Sequence, residues 1–443
     1  MDRMSTAQPS HQDEAQVREA SDAEKHPAGT PLLVWLGVVF FIYLLLLAVG
    51  MIADGFKRAT GGEQAAGNLF AFASDPLMAL LMGSLATALV QSSSTVTSVV
   101  VALVAAGMPV AIAVPIVMGA NIGTTVTNTL VSMGHVSATQ EFRRAFAAAT
   151  IHDFFNILSV IIFLPLELAV HPLERMSAVL AGWFTFEGSA SIGGINFVGA
   201  VTKPVVNLVG NHGLIAAVLP GTAGGIVLIV LGVALIFVAI TRIGRLLKSV
   251  MTGPAKKLFH AAVGRGPITG IGAGTVITVL VQSSSTTTSL IVPFAGNGLM
   301  SLREVYPFTL GANIGTCITA LLAATAITGD LAAAALQIAL LHLLYNILGT
   351  VVIYGTPGLR SVPVFCAERL ASVAAKWKFA ALAYMLAVFF LIPGAFIGAQ
   401  RLMSGPAEEP AREFAPGGPE SLTDDSQRKA RRLMDEAPDL AVE

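Results

Sequence analysis

The chain has 443 residues, 54% of them hydrophobic and 12% charged, with a mean hydropathy of +0.74, a balance that excludes an ordinary soluble domain and implies a polytopic membrane protein. A formal net charge of -1 leaves no global basic field, so nucleic acid is not an expected partner. Cys317 and Cys366 lie in or beside apolar segments without metal-ligand spacing and read as small hydrophobes.

Residues 1–30 are polar and mixed in charge and are expected to be a disordered tail. Leu32 to Ile52 is long enough to span a bilayer and too long for a signal peptide, so a retained first span is expected. Further apolar stretches follow at 77–106, 109–133, 147–170, 221–247, 268–300, 305–328, 331–355 and 379–399. Residues 405–443, rich in Pro, Glu, Asp and Arg, are expected to form a second disordered tail.

Two of these stretches carry polar centres, Gln91-Ser92-Ser93-Ser94-Thr95 and Gln282-Ser283-Ser284-Ser285-Thr286. As helix, Pro76 to Gln91 covers about 22 Å and Thr95 to Gly107 about 18 Å, both short of a hydrocarbon core of roughly 30 Å. Each segment is therefore expected to enter the membrane, turn at its QSSS tip and leave on the side it entered. Such backbone is tolerated only where protein or a watery cavity covers it.

The repeat goes further. Gly119-Ala120-Asn121-Ile122-Gly123-Thr124 recurs as Gly311-Ala312-Asn313-Ile314-Gly315-Thr316, and His152-Asp153-Phe154-Phe155-Asn156 as His342-Leu343-Leu344-Tyr345-Asn346. With the tips, the offsets are 191, 192 and 190 residues, which implies a duplication with halves of 31–220 and 221–404. Basic residues Arg242, Arg245, Lys248, Lys256, Lys257 and Arg265 mark a cytoplasmic loop at the start of the second half, and Arg143 and Arg144 mark the same side earlier. Threading from a cytoplasmic N-terminus makes the repeats inverted, with both tips near the midplane. Counting 379–399 as a span puts the C-terminal tail outside, whereas the basic loop Arg360 to Lys378 sits inside. The expected fold is thus an all-α polytopic membrane protein of two inverted-topology repeats, each with a re-entrant helical hairpin.

No Arg or Lys lies in the repeated tips or the GANIGT and H-x3-N motifs. An oxyanion there would rest on helix N-termini and backbone N–H groups, and sodium ions would supply the missing positive charge, held by hard oxygens. The expected phosphate contacts are Gln91, Ser92, Ser93, Gln282, Ser283 and Ser284. The expected sodium ligands are Ser94, Thr95, Asn121, Thr124, Asp153, Ser285, Thr286, Asn313 and Thr316. Asp153 is the one carboxylate placed well inside a span. Gly119 to Gly123 and Gly311 to Gly315 are also literal GxxxG packing motifs, and His152 and His342 are candidates for interhelical hydrogen bonds.

An enzyme is not expected, since G-x-S-x-G and H-E-x-x-H motifs are absent. A channel would need only a polar pore. The nearest rival is a sodium symporter for another oxyanion. Sulfate lacks the proton that monohydrogen phosphate can donate to a Gln or Asn carbonyl, whereas arsenate has it.

The two QSSS motifs, GANIGTTVTNT over 119–129, EFRRAFAAATIHDFFN over 141–156, and GANIGT at 311 with HLLYN at 342 closely resemble the type II sodium-phosphate cotransporters. The resemblance spans most of residues 31–400. It implies symport of inorganic phosphate with Na+ by two inverted repeats and a moving transport domain, as a homodimer in the lipid bilayer and with no cofactor. It also places phosphate and sodium at the QSSS tips and makes Asp153 the mark of charge-moving members, where electroneutral ones carry glycine. Animal members have a glycosylated, cysteine-containing loop between the halves, whereas residues 171–220 here hold no cysteine and no Asn-x-Ser/Thr sequon, which points to a bacterial member in the inner membrane.

Overall fold

A computed structural model describes residues 31–60, 74–185, 193–209, 213–219, 221–262, 265–327 and 331–403. Both expected disordered tails lie outside them. Among the described residues every regular element is helical. Seven helices are long and apolar enough to cross a membrane: Leu32–Thr60, Val110–His135, Thr139–Val170, Thr222–Leu247, Leu302–Ala324, Ala332–Tyr354 and Phe379–Gln400. Contacts divide the chain into two compact units, Met1–Ile397 and Gly398–Glu443, and the candidate site belongs to the first.

Helix α1 is Pro31–Thr60. The first broken segment follows as α2 (Pro76–Val90) and α3 (Ser93–Ala105), then α4 (Val110–Ile122), a 3-10 turn over Gly123–Thr125, and α5 (Val126–Ser132). Next come α6 (Thr139–Val170), α7 (Pro172–Thr185), α8 (Gly193–Val209), α9 (Leu214–Val218) and α10 (Thr222–Ala262). The second broken segment is α11 (Pro267–Val281) and α12 (Ser284–Gly296), followed by α13 (Leu302–Ala324) and α14 (Ala332–Gly349), which runs on as a π turn over Thr350–Tyr354. The chain ends in α15 (Pro357–Lys376), α16 (Phe379–Leu386), a π turn over Ala387–Leu391 and α17 (Ile392–Met403).

Two expected boundaries move. The basic residues placed in a loop after residue 247 extend α10 to Ala262, because Lys and Arg are good helix formers and keep the backbone ladder going once the apolar run ends. Arg143 and Arg144 likewise fall in the first turns of α6. The described residues of 171–220 are largely helical, as α7, α8 and α9.

Small residues set the packing. In the α1–α10 pair, a Cβ on Gly55 would stand 2.8 Å from Leu228 Cβ, and one on Gly232 2.6 Å from Ile52 Cγ1, so only glycine permits this approach. The arm before each tip is fastened to the span that follows it in the same way. Gly119 meets the Leu80 carbonyl and Gly83 the Ile116 carbonyl between α2 and α4, and Gly311 meets the Ile271 carbonyl and Gly274 the Phe308 carbonyl between α11 and α13. The GxxxG motifs therefore do pack backbones.

Other contacts cross between the halves. Helix α6 packs on α12 and α15, while its sequence counterpart α14 packs on α3 and α7. Each half thus lends its third span to the other half's broken segment.

Candidate functional site

Both broken segments end their first arm on a glutamine in the left-handed region, Gln91 at φ 58°, ψ 27° and Gln282 at φ 54°, ψ 30°. A residue with a Cβ is disfavoured there. The side chains compensate. Gln91 Nε2 donates to the Ala88 carbonyl and its Oε1 accepts from Thr127 Oγ1 at 2.6 Å. Gln282 Nε2 donates to the Val279 carbonyl at 2.6 Å and its Oε1 accepts from Thr319 Oγ1 at 2.9 Å.

The next residue starts the second arm. Ser92 and Ser283 are extended N-caps whose hydroxyls accept from Thr95 N at 3.2 Å and Thr286 N at 3.1 Å. The remaining first-turn N–H groups of α3 and α12 have no partner inside their helices, and each helix presents its positive end to the break. An anion can be met there by N–H groups and the serine and threonine hydroxyls without any fixed cation. Ser93, Ser94, Thr95, Ser284 and Ser285 are buried, Ser92, Gln282, Ser283 and Thr286 half-buried, and Gln91 exposed. Among the described residues no hydrogen bond joins the tips directly. The second tip instead reaches the GANIGT segment of the first half, where the Thr124 carbonyl accepts from Ser285 Oγ at 3.4 Å.

Asn121 and Asn313 form a paired clamp between the halves. Asn121 Nδ2 donates to Asn346 Oδ1 at 2.9 Å, and its Oδ1 accepts from His342 Nε2 at 3.1 Å. In mirror fashion Asn313 Nδ2 donates to Asn156 Oδ1 at 2.8 Å, and its Oδ1 accepts from His152 Nε2 at 2.5 Å. All six side chains are buried, so each bond is made away from competing water. Thr124 and Thr316 donate their hydroxyl protons to the Ala120 and Ala312 carbonyls, at 3.2 and 3.0 Å, which leaves oxygen lone pairs for a cation.

Asp153 is fully buried on α6. Its Oδ2 accepts from the Tyr384 hydroxyl at 3.3 Å, the Thr125 side chain also lies beside the carboxylate, and among the described residues Oδ1 makes no hydrogen bond of good geometry. The neighbouring His152 uses its second nitrogen, Nδ1, to accept from Thr125 Oγ1 at 3.2 Å. An ionised carboxylate with a free oxygen in such a place is relieved by a bound cation.

A model of one protein family, described as the Na+/Pi-cotransporter, matches residues 44–186 and 235–356, which contain both tips, both GANIGT motifs and both histidine-asparagine pairs. The chain belongs to that family. Among its cotransporter relatives, the sodium-dependent phosphate transport protein 2A of Ovis aries is 32% identical over 468 residues, covering 88% of this chain and 72% of the sheep protein. The 2A protein of Rattus norvegicus is 31% identical over 455 residues, covering 87% of this chain and 71% of its own length. The 2B protein of Homo sapiens is 32% identical over 451 residues, with 82% and 64% covered. No solved structure matches. The family match stops before the last cotransporter span, Phe379–Gln400, which carries Tyr384.

Several contributors were not singled out from sequence. Thr127 and Thr319 occupy the same register after Gly119 and Gly311, so the repeat itself carries the signal for them. Asn128, whose Nδ2 donates to Thr288 Oγ1 at 2.8 Å and whose Oδ1 accepts from Ser289 Oγ at 2.8 Å, has Ala320 as its counterpart and is invisible to repeat matching. Arg144 Nε donates to the Gly296 carbonyl at 2.8 Å, a cation at the C-terminus of α12.

Proposed function

We propose that this protein is a sodium-coupled symporter of inorganic phosphate, with phosphate bound between the first turns of α3 and α12 by Gln91, Ser92, Ser93, Gln282, Ser283 and Ser284. The observation that carries this reading is the pair of matching helix starts without a fixed cation, in a chain whose relatives are named sodium-dependent phosphate transport proteins. Phosphate is multiply charged and helix ends supply only partial charges, so the sodium ions complete the neutralisation. Ser94, Thr95, Thr124, Asp153, Ser285, Thr286 and Thr316 offer the oxygens. Asn121 and Asn313, whose amides are engaged, contribute by holding the GANIGT segments where those oxygens converge.

The two halves act as inverted repeats entering from opposite faces, and transport proceeds by alternating access. The mirrored bonds at the tips and clamps support that reading. An apolar cleft of about 920 Å³ lies between Phe56, Val233 and Phe237 of the α1–α10 pair and Met82 and Leu103 of the first broken segment. Transport is electrogenic through Asp153, the protein works as a homodimer, and its place is a bacterial inner membrane, the last supported by the linker free of cysteine and sequon.

Purified protein in liposomes is expected to accumulate phosphate only under an inward sodium gradient. Equal accumulation in potassium or choline would sink the proposal.

A further inference from the structure

The last span stands outside both the duplicated motifs and the matched family segments, yet it delivers a side chain to the one unmirrored carboxylate of the site. We propose that Tyr384 is the positioning residue of Asp153, holding Oδ2 through its phenol so that Oδ1 faces the coupled sodium ion. This rests on Asp153 being a sodium ligand.

The two carboxylate oxygens are differently employed. Tyr384 Oη donates to Oδ2 at 3.3 Å, whereas Oδ1 is inaccessible and, among the described residues, makes no hydrogen bond of good geometry, although the Thr125 side chain also lies beside the carboxylate. Phenol and cation therefore claim different oxygens and do not compete. A phenol also suits the task better than an ammonium or guanidinium, because it supports negative charge without a positive charge that would repel sodium. Lys378, immediately before that helix, has its Nζ 4.5 Å from the centre of the Phe142 ring.

The tyrosine is also held. Its ring centre is 6.1 Å from Phe154 and 6.3 Å from Phe389, the latter edge to face. Met385 and Phe389 pack with Ala88 and Val126, which tie α16 to the arm leading into the first tip and to α5. The π turn over Ala387–Leu391 begins three residues later, and such a turn resets the helical register, so the face carrying Tyr384 is set apart from the rest of the span.

The test measures, in proteoliposomes, the sodium concentration for half-maximal phosphate uptake and the charge moved per phosphate for wild type, Tyr384→Phe, Asp153→Gly and the double variant. Tyr384→Phe is expected to raise the half-maximal sodium concentration about tenfold, the size of a lost hydrogen bond to a charged group. Charge per phosphate should stay at the wild-type value, because the ligand itself remains. In the Asp153→Gly background the same change should shift nothing further. Wild-type sodium dependence in Tyr384→Phe, tighter sodium binding, or an undiminished effect in the double variant would each overturn the proposal. If Asp153→Gly alone leaves sodium dependence and charge unchanged, the sodium reading of Asp153 fails first, a pattern distinct from failure of Tyr384 alone. Should a variant not transport, sodium-dependent thermal stabilisation in detergent reads the same affinity, and an unshifted midpoint in Tyr384→Phe overturns the proposal equally.

Discussion

The two halves agree at the tips and part company one helix away. Each tip has a left-handed glutamine tied to a threonine, a serine N-cap and a GANIGT asparagine clasped by the opposite half. Around the histidines the match ends. Thr125, His152 and Asp153 in the first half correspond to Cys317, His342 and Leu343 in the second. Where Thr125 serves His152 Nδ1, the Nδ1 of His342 has no hydrogen-bond partner among the described residues. The arms differ in the same sense: Asn128 bonds Thr288 and Ser289, whereas its counterpart is Ala320 and buried Ser98 Oγ has no hydrogen-bond partner among the described residues. Shared geometry suits a ligand held by both halves, as proposed for phosphate. Unshared chemistry suits what only one half binds, and polar capacity is concentrated around the first half's third span and the second half's tip.

The largest effect is expected where the halves agree. Gln91→Ala or Gln282→Ala removes an amide that fixes the left-handed turn and, in the proposed site, borders the phosphate, and alanine tolerates that conformation poorly. Either variant should reach the membrane folded and lose uptake at low phosphate. Near-normal transport by one and loss in the other would break the equivalence of the tips. Near-normal transport by both would reduce them to packing.

A smaller effect is expected at the clamp. Asn121→Ala and Asn313→Ala each abandon a buried histidine donor and an asparagine acceptor of the opposite half, at a cost of about 1–3 kcal/mol for each group left unpaired. Thermal unfolding in detergent should fall by similar amounts in the two variants. A loss confined to one would show that the mirrored bonds differ in strength and that the halves are held mainly from one side.

Much of this was legible in the sequence, for identifiable reasons. The breaks at Gln91 and Gln282 follow from apolar runs that are long overall but have polar centres, and the spans follow from length and hydropathy. The clamp was only half legible. Asparagine next to a small-residue motif signals a buried amide, but whether that amide meets an ion or a histidine depends on which helix faces it, and α6 and α14 reach across the halves. Tyr384 was not legible, because its partner lies 231 residues away and it belongs to no repeat. The linker helices were obscured by a composition with no long apolar run.

The mildest expected change in uptake comes from the position where the halves differ most. Asp153→Gly should leave phosphate transport running, because the tips and clamps do not use this carboxylate as a partner, yet it should alter what travels with the phosphate. An unpaired carboxylate in low dielectric is unfavourable, and a bound sodium ion relieves it. Without the carboxylate that ion has less reason to bind, and the charge moved per cycle should fall by one. The measurement pairs phosphate uptake with its dependence on imposed membrane potential, in wild type and variant. Leu343→Gly supplies the control in the other half, since it also trades a side chain for glycine next to a clamp histidine but removes no charge. Its voltage dependence should match wild type. If Asp153→Gly transports with unchanged voltage dependence, the carboxylate holds no coupled ion, and the difference between the halves is structural rather than a division between binding phosphate and counting charge.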